Sequence, residues 1–241
     1  MYGLTADPFM MAIFIILILE NLSTYISNPS ALLSLVLSIP GLLIAISFHE
    51  FAHAFVADKL GDDTPRRQGR LSLNPLAHLD PYGTFLMIFA GFGWGKPVEI
   101  NPLNFNRKVS MKGGSAMVAA AGPIMNFILA IVFSVLYGIL LRTSFVTSTV
   151  GEVISNIILY IISMNVGLGV FNLIPLPPLD GSKILLALLP SRAQEWYEDN
   201  QRILYIIFLI IWITPIASNI VSPIISSIDS WLLKLIRTIA L

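Results

Sequence analysis

Residues 36–58 read VLSIPGLLIAISFHEFAHAFVAD, an apolar run long enough to cross a bilayer as a helix, with His49, Glu50 and His53 set inside it. A spanning helix needs about 20 mostly apolar residues. An unpaired ionisable group at membrane depth costs on the order of 2.5–3.5 kcal/mol on insertion scales, so these side chains call for a compensating partner. Comparable apolar runs fall at residues 9–27, 115–142, 152–173 and 203–221.

The 241 residues are 56% hydrophobic and 12% charged, and the mean hydropathy of +0.81 places the chain in a lipid bilayer rather than among soluble domains. The expected fold class is an all-α polytopic membrane protein with about five to six transmembrane helices and a short re-entrant β element. No internal repeat or low-complexity linker divides it, so residues 1–241 read as a single transmembrane domain with a functional core at about 36–190. Residues 1–8 lack the Lys or Arg of a secretory signal, and the first run reads as a retained anchor.

Of the 14 Lys and Arg, Lys59, Arg66, Arg67, Arg70, Lys96, Arg107, Lys108 and Lys112 lie between the second and third runs. The positive-inside rule places that region in the cytoplasm. The second run then points inward, the N-terminus is cytoplasmic, and the connection Asn21–Ser30 lies outside, in a multi-pass protein of the cell membrane. With zero net charge and scattered basic residues, no nucleic acid is expected as a partner. Residues 83–95 (GTFLMIFAGFGWG) are too short to span and read as re-entrant. Gly91, Gly93 and Gly95 disfavour a helix there, and Lys96–Ile100 alternates like a strand, which suggests a hairpin dipping into the membrane. In the tail, Ile224, Ile225, Ile228, Trp231, Leu232, Leu235, Ile236 and Ile239 follow a helical period, as an amphipathic interfacial helix or a poor sixth crossing.

His49-Glu50-Phe51-Ala52-His53 is a His-Glu-x-x-His pattern. Residues four apart share a helix face, so two imidazoles can meet one ion with Glu50 beside them. Zinc lowers the pKa of bound water toward about 7 and polarises a carbonyl, while an adjacent glutamate removes a proton and returns it to the leaving amine. A structural hydrogen-bond cluster is the alternative. The chain has no cysteine, so further ligands must be His or carboxylate.

A catalytic zinc site usually has three protein ligands. His78, in a Pro-bounded stretch, reads as a solvated or capping residue. Asp180 is the better candidate, in Asn172-Leu173-Ile174-Pro175-Leu176-Pro177-Pro178-Leu179-Asp180-Gly181, although it is also suited to cap a helix over 181–189. Three prolines in that stretch forbid a continuous helix. Their exposed carbonyls are tolerable only where the chain lines a wet cavity or packs on protein. Asn172 can donate to a developing oxyanion or to substrate backbone, or bond to a neighbouring helix. Gly122 and Asn126, in Ala121-Gly122-Pro123-Ile124-Met125-Asn126, read first as packing residues, with Asn126 also placed to support the site from behind.

Together, His49-Glu50-x-x-His53, Gly122-Pro123-x-x-Asn126 and Asn172-x-x-Pro175-x-Pro177-Pro178-Leu179-Asp180-Gly181 resemble the site-2 protease family of intramembrane metalloproteases, over residues from about 36 to 190. The resemblance implies zinc held by His49, His53 and Asp180, with Glu50 as base and Asn172 touching substrate or oxyanion. It implies a site near the cytosolic face and, as substrates, the transmembrane segments of other proteins. It also implies a membrane-dipping β element holding the substrate extended, which points to Gly93 and Val98 as substrate-binding positions. The chain leaves no room for the PDZ or CBS domain of larger relatives.

The main rival is a metal-binding membrane transporter or sensor using the same ligands. Glu50 argues against it, as does the single cluster without continuation through other helices. With only 3 His, a histidine-rich di-iron site is excluded.

Overall fold

The computed structural model describes residues 8–90 and 93–241. The apolar runs become helices because, without water, a helix satisfies its own backbone amides. In chain order these are α1 (Pro8–Ser27), α2 (Pro29–Lys59), the single turn α3 (Thr64–Arg67), α4 (Pro81–Phe89), α5 (Met111–Leu140), α6 (Thr149–Asn172), α7 (Asp180–Leu188), α8 (Ser191–Asp199), α9 (Gln201–Ile213) and α10 (Pro215–Ala240). No sheet forms among the described residues, and an isolated antiparallel bridge joins Leu79 to Gly95.

Among the described residues three helices, α2, α5 and α6, are long and apolar enough to cross a membrane. They pack against one another at the centre of the molecule. Small residues let them approach: a Cβ on Gly41 would lie 2.9 Å from the Tyr160 carbonyl oxygen, so α2 meets the backbone of α6 there. Ile124, Leu136 and Ile139 of α5 face outward, as on a helix surrounded by hydrocarbon.

Several expected boundaries shift. The connection over Asn21–Ser30 contracts to Asn28, whose side chain caps α2 by accepting from the Ser30 and Ala31 amides. Thr24 and Ser27 stay helical because their hydroxyls donate back to the Glu20 and Ser23 carbonyls, at 3.0 and 2.7 Å. The stretch 83–95 begins as α4 rather than as one arm of a hairpin, started by Asp80, which accepts the Gly83 amide at 2.8 Å. Gly91 lies outside the described residues. Residues 93–101 then form a segment without helix or strand apart from a bridge at Gly95, ending with Asn101 in extended backbone. Gly83 and Gly93 let this segment lie against α4, since a Cβ on Gly93 would collide with the Gly83 carbonyl.

The apolar run 203–221 is not one helix. Thr214 is extended between α9 and α10, because Pro215 offers no amide and disfavours helical geometry in the residue before it. The tail helix α10 joins the core: Leu232 and Ile236 are buried with Ala130 of α5 and Ile162, Val166 and Val170 of α6. Near its end Ile239 lies against Gly138, where a Cβ would approach to 2.9 Å.

A second cluster, Ala57, Leu60, Phe105 and Val118, closes the end of the bundle where α2 finishes. Beside it Asp62 is fully buried. Its carboxylate accepts from the Thr64 amide (3.1 Å) and hydroxyl (2.6 Å), the Asn101 amide (2.6 Å) and the Asn104 side chain (2.9 Å). Burial pushes this carboxyl up, and the four bonds together outweigh it, holding it below the ordinary carboxylate value.

Candidate active site

His49 and His53 stand one turn apart on α2, both buried, their rings edge to face with centroids 4.6 Å apart. Nδ1 of His49 lies 2.7 Å from Oδ1 of Asn126, and Nδ1 of His53 lies 2.7 Å from the carbonyl oxygen of Val118. Both partners are acceptors, so both Nδ1 atoms carry the proton and both Nε2 atoms present a lone pair.

These two lone pairs face Oδ2 of Asp180, at 3.0 Å from His49 and 3.1 Å from His53. With both rings neutral, three acceptor atoms converge with no donor among them, an arrangement that a bound cation relieves. Ligands of tetrahedral zinc, at about 2.0–2.1 Å from the metal, lie about 3.3 Å from one another. The spacing and the nitrogen and oxygen donor set therefore fit zinc. Among the described residues this is the one group of three or more His, Cys, Asp or Glu able to hold a metal.

Local sequence explains how these three side chains meet. Gly122 of α5 sits against both rings: a Cβ there would lie 2.6 Å from Cε1 and Nε2 of His49 and from Cε1 of His53. The prolines after α6 end that helix, and Asp180 opens α7. A Cβ on Gly181 would collide with the Leu173 and Ile174 carbonyls, so its absence lets α7 begin tight against the end of α6. Tyr197 of α8 donates to the Pro175 carbonyl at 2.9 Å and braces the same stretch. Asp180 is the first residue of α7, and the cap position falls to Leu179, so the capping role is not the one realised.

Glu50 is half-buried, and its Oε2 accepts the amide of Val98 at 3.2 Å. The segment 93–101 therefore lies directly on the side chain that the motif marks as base. It is held there by the Lys96 amide, which donates to the His78 carbonyl at 2.7 Å. His78 is fully buried rather than solvated, with Nε2 donating to the Ser72 carbonyl at 2.6 Å. Buried Arg70 donates to the Ala77 carbonyl and ties down the same turn.

A cavity of about 190 Å³ collects these groups, lined by His49, Glu50, His53, Asp180, Gly93 and Val98 among others. Asn172 also lines it, with Nδ2 bonded to the carbonyl of Leu168 in its own helix at 3.1 Å. Lys183, on α7, is the one Lys or Arg in the lining. The structure thus brings every candidate ligand, base and substrate position to one cavity. Asn165, the Val118 carbonyl and the Val98 amide escape a motif reading. Asn165 carried a sequence signal, being an amide inside an apolar run, whereas a backbone group carries none.

Residues 139–214 match the family model Peptidase family M50, a stretch that includes Asn172 and Asp180. The chain is 38% identical over 204 residues to YwhC of Bacillus subtilis, covering 82% of this chain and 90% of that protein, which is named as an inferred zinc metalloprotease. It is 30% identical over 183 residues to Rip2 of Mycolicibacterium smegmatis, covering 75% of this chain and 68% of that protein, which carries the same kind of name. Rip2 of Mycobacterium tuberculosis H37Rv is 25% identical over 183 residues. No solved structure matches.

Proposed function

The chain belongs to peptidase family M50, the site-2 proteases, and is an intramembrane zinc metalloprotease; on that premise we propose that His49, His53 and Asp180 hold the zinc and Glu50 is the general base that cleaves peptide bonds within or near transmembrane segments of other proteins. The observation that carries the residue assignment is the convergence of both Nε2 lone pairs on Oδ2 of Asp180, at 3.0 and 3.1 Å. Bound zinc supplies a Lewis acid for the scissile carbonyl and a water acidified toward pKa about 7.

The rest falls to the chain. Glu50 takes the proton of the attacking water and passes it to the leaving amide nitrogen. The Val98 amide keeps the carboxylate of Glu50 turned to the cavity. The Asn172 amide, at the cavity wall, exchanges its own-helix bond for the substrate carbonyl or its developing oxyanion. Gly93 and Val98 border the path of an extended substrate, which pairs by strand addition with the edge of residues 93–101. A helical substrate hides its carbonyls in its own hydrogen bonds, so helix-weak segments are the preferred ones.

Within the membrane, α1, α2, α5, α6 and α10 make about five crossings, with α4 and the segment 93–101 re-entrant. The basic loop after α2 supports an active site near the cytosolic face and an N-terminus in the cytoplasm. The lengthwise packing of α10 on α5 and α6 supports its crossing.

The test is reconstitution in vesicles with a single-pass reporter. Wild type is expected to cleave in a chelator-sensitive way, Glu50→Gln to lose cleavage while keeping zinc, and Asp180→Ala to lose both. Cleavage by Glu50→Gln at the wild-type rate would sink the assignment of the base.

A further inference from the structure

Behind His49 lies a chain of two side-chain amides on two different helices. Asn126 of α5 and Asn165 of α6 are both fully buried. Oδ1 of Asn126 faces Nδ1 of His49 at 2.7 Å. Its Nδ2 donates to the Ala45 carbonyl at 3.0 Å and to Oδ1 of Asn165 at 2.9 Å. Nδ2 of Asn165 in turn donates to the Ile161 carbonyl at 2.8 Å.

A backbone carbonyl only accepts, so each one dictates which end of an amide points at it. Ile161 holds the NH₂ of Asn165, which leaves its oxygen toward Asn126. Ala45 and that oxygen together hold the NH₂ of Asn126, which leaves its oxygen toward His49. An oxygen there demands a proton on Nδ1 of His49. Turning Asn126 over would set its oxygen against two acceptors, and turning both amides would still leave the Asn165 oxygen against Ile161. The neutral ring is thereby confined to the one tautomer whose Nε2 can bind a metal.

We infer that Asn126 and Asn165 are positioning residues that fix the His49 tautomer through the Ala45 and Ile161 carbonyls and so present Nε2 as a ligand. The inference rests on the metal reading of the site, and it assigns Asn165, which belongs to none of the sequence motifs, a role in metal affinity. Without the amide of Asn165, Asn126 is held by Ala45 alone and can turn. The ring then populates the form protonated on Nε2, which must shift its proton before it can ligate. Partners behind a metal ligand typically alter affinity 10- to 100-fold when lost, and the indirect position of Asn165 places its effect at about 10-fold.

The experiment uses the full chain in detergent with ¹⁵N-labelled histidine, reading the His49 ring nitrogens without metal and then Zn²⁺ affinity by chelator competition. Wild type should show Nδ1 protonated. Asn165→Ala should show a tautomer mixture and about 10-fold weaker Zn²⁺ binding. Asn165→Asp, whose buried carboxyl when protonated donates to the Ile161 carbonyl and keeps an acceptor for Asn126, should restore the wild-type tautomer. Val166→Ala, a packing change at the neighbouring buried residue of α6, should leave it unaltered.

An unchanged tautomer and Zn²⁺ affinity in Asn165→Ala overturns the inference, as does a Val166→Ala variant that reproduces the loss. Should Asn165→Ala not accumulate, wild-type His49 protonated on Nε2 overturns it by itself, and protonation on Nδ1 supports it. Failure of wild type to bind Zn²⁺ would defeat the metal assignment, a result distinct from equal binding by wild type and Asn165→Ala, which defeats only the relay.

Discussion

Gly122 is the residue on which the two imidazoles rest, with no space between its Cα and their ring atoms. Alanine there must push His49 and His53 off their shared focus, so Gly122→Ala should weaken Zn²⁺ binding by about 10-fold or more in chelator competition. Normal affinity would show that the rings can slide aside at no cost. Val98 acts through its backbone. Val98→Pro removes the amide that Glu50 accepts, and kcat should fall by about 10- to 100-fold with zinc retained, as small displacements of a catalytic group do. Its effect on the base can be separated from strand pairing by a small soluble peptide too short to lie along residues 93–101. Loss on that peptide reports Glu50, whereas loss confined to transmembrane reporters reports pairing.

At the scale of elements, the active-site cavity has a wall that is not a helix, and the loop beneath it keeps it in place. Asp62, just beyond α2, gathers donors from Thr64, Asn101 and Asn104 and so ties the end of the segment 93–101 to the end of the helix that carries the ligands. Asp62→Ala leaves the Asn101 amide without its acceptor and should cost about 3 kcal/mol of stability, read as a lower midpoint of thermal unfolding in detergent. The pH dependence follows from the direction of its shift. A carboxyl held below its unfolded value stabilises the fold fully above about pH 4 and loses that contribution as pH falls through the folded value. Wild type should therefore lose stability in that window more steeply than Asp62→Asn, and parallel profiles would remove Asp62 from the account.

For the whole molecule, the open issue is how many helices cross. The chain has no cysteine, so single cysteines at exposed positions report sidedness directly. Gln68→Cys should react with an impermeant thiol reagent from the cytosolic side, and Thr147→Cys and Leu241→Cys from the opposite side. Leu241→Cys labelled together with Gln68→Cys would show that α10 does not cross. The polar and charged residues of α10, among them Ser226, Ser230, Lys234 and Arg237, keep its sequence from reading as a span. Part of its apolar stripe, Leu232 and Ile236, packs on α5 and α6, whereas Ile224 and Trp231 of the same stripe stay exposed.

His49, Glu50, His53 and Asp180 stand out in the sequence as candidates because an ionisable side chain in or beside an apolar run is costly unless it has work to do, and helical spacing alone puts the histidines together. The central helices α2, α5 and α6 followed from length and hydropathy in the same way. Contacts between residues far apart in the chain are not written in any local period. Only the folded chain could decide that Asp180 meets His49 across 131 positions, or that Asn165 stands behind Asn126. The same holds for the backbone of Val98 reaching Glu50, and for α10 packing one face, through Leu232 and Ile236, onto α5 and α6. Those depend on how closely glycines let helices approach and on where each buried amide finds an acceptor, quantities fixed by packing in three dimensions.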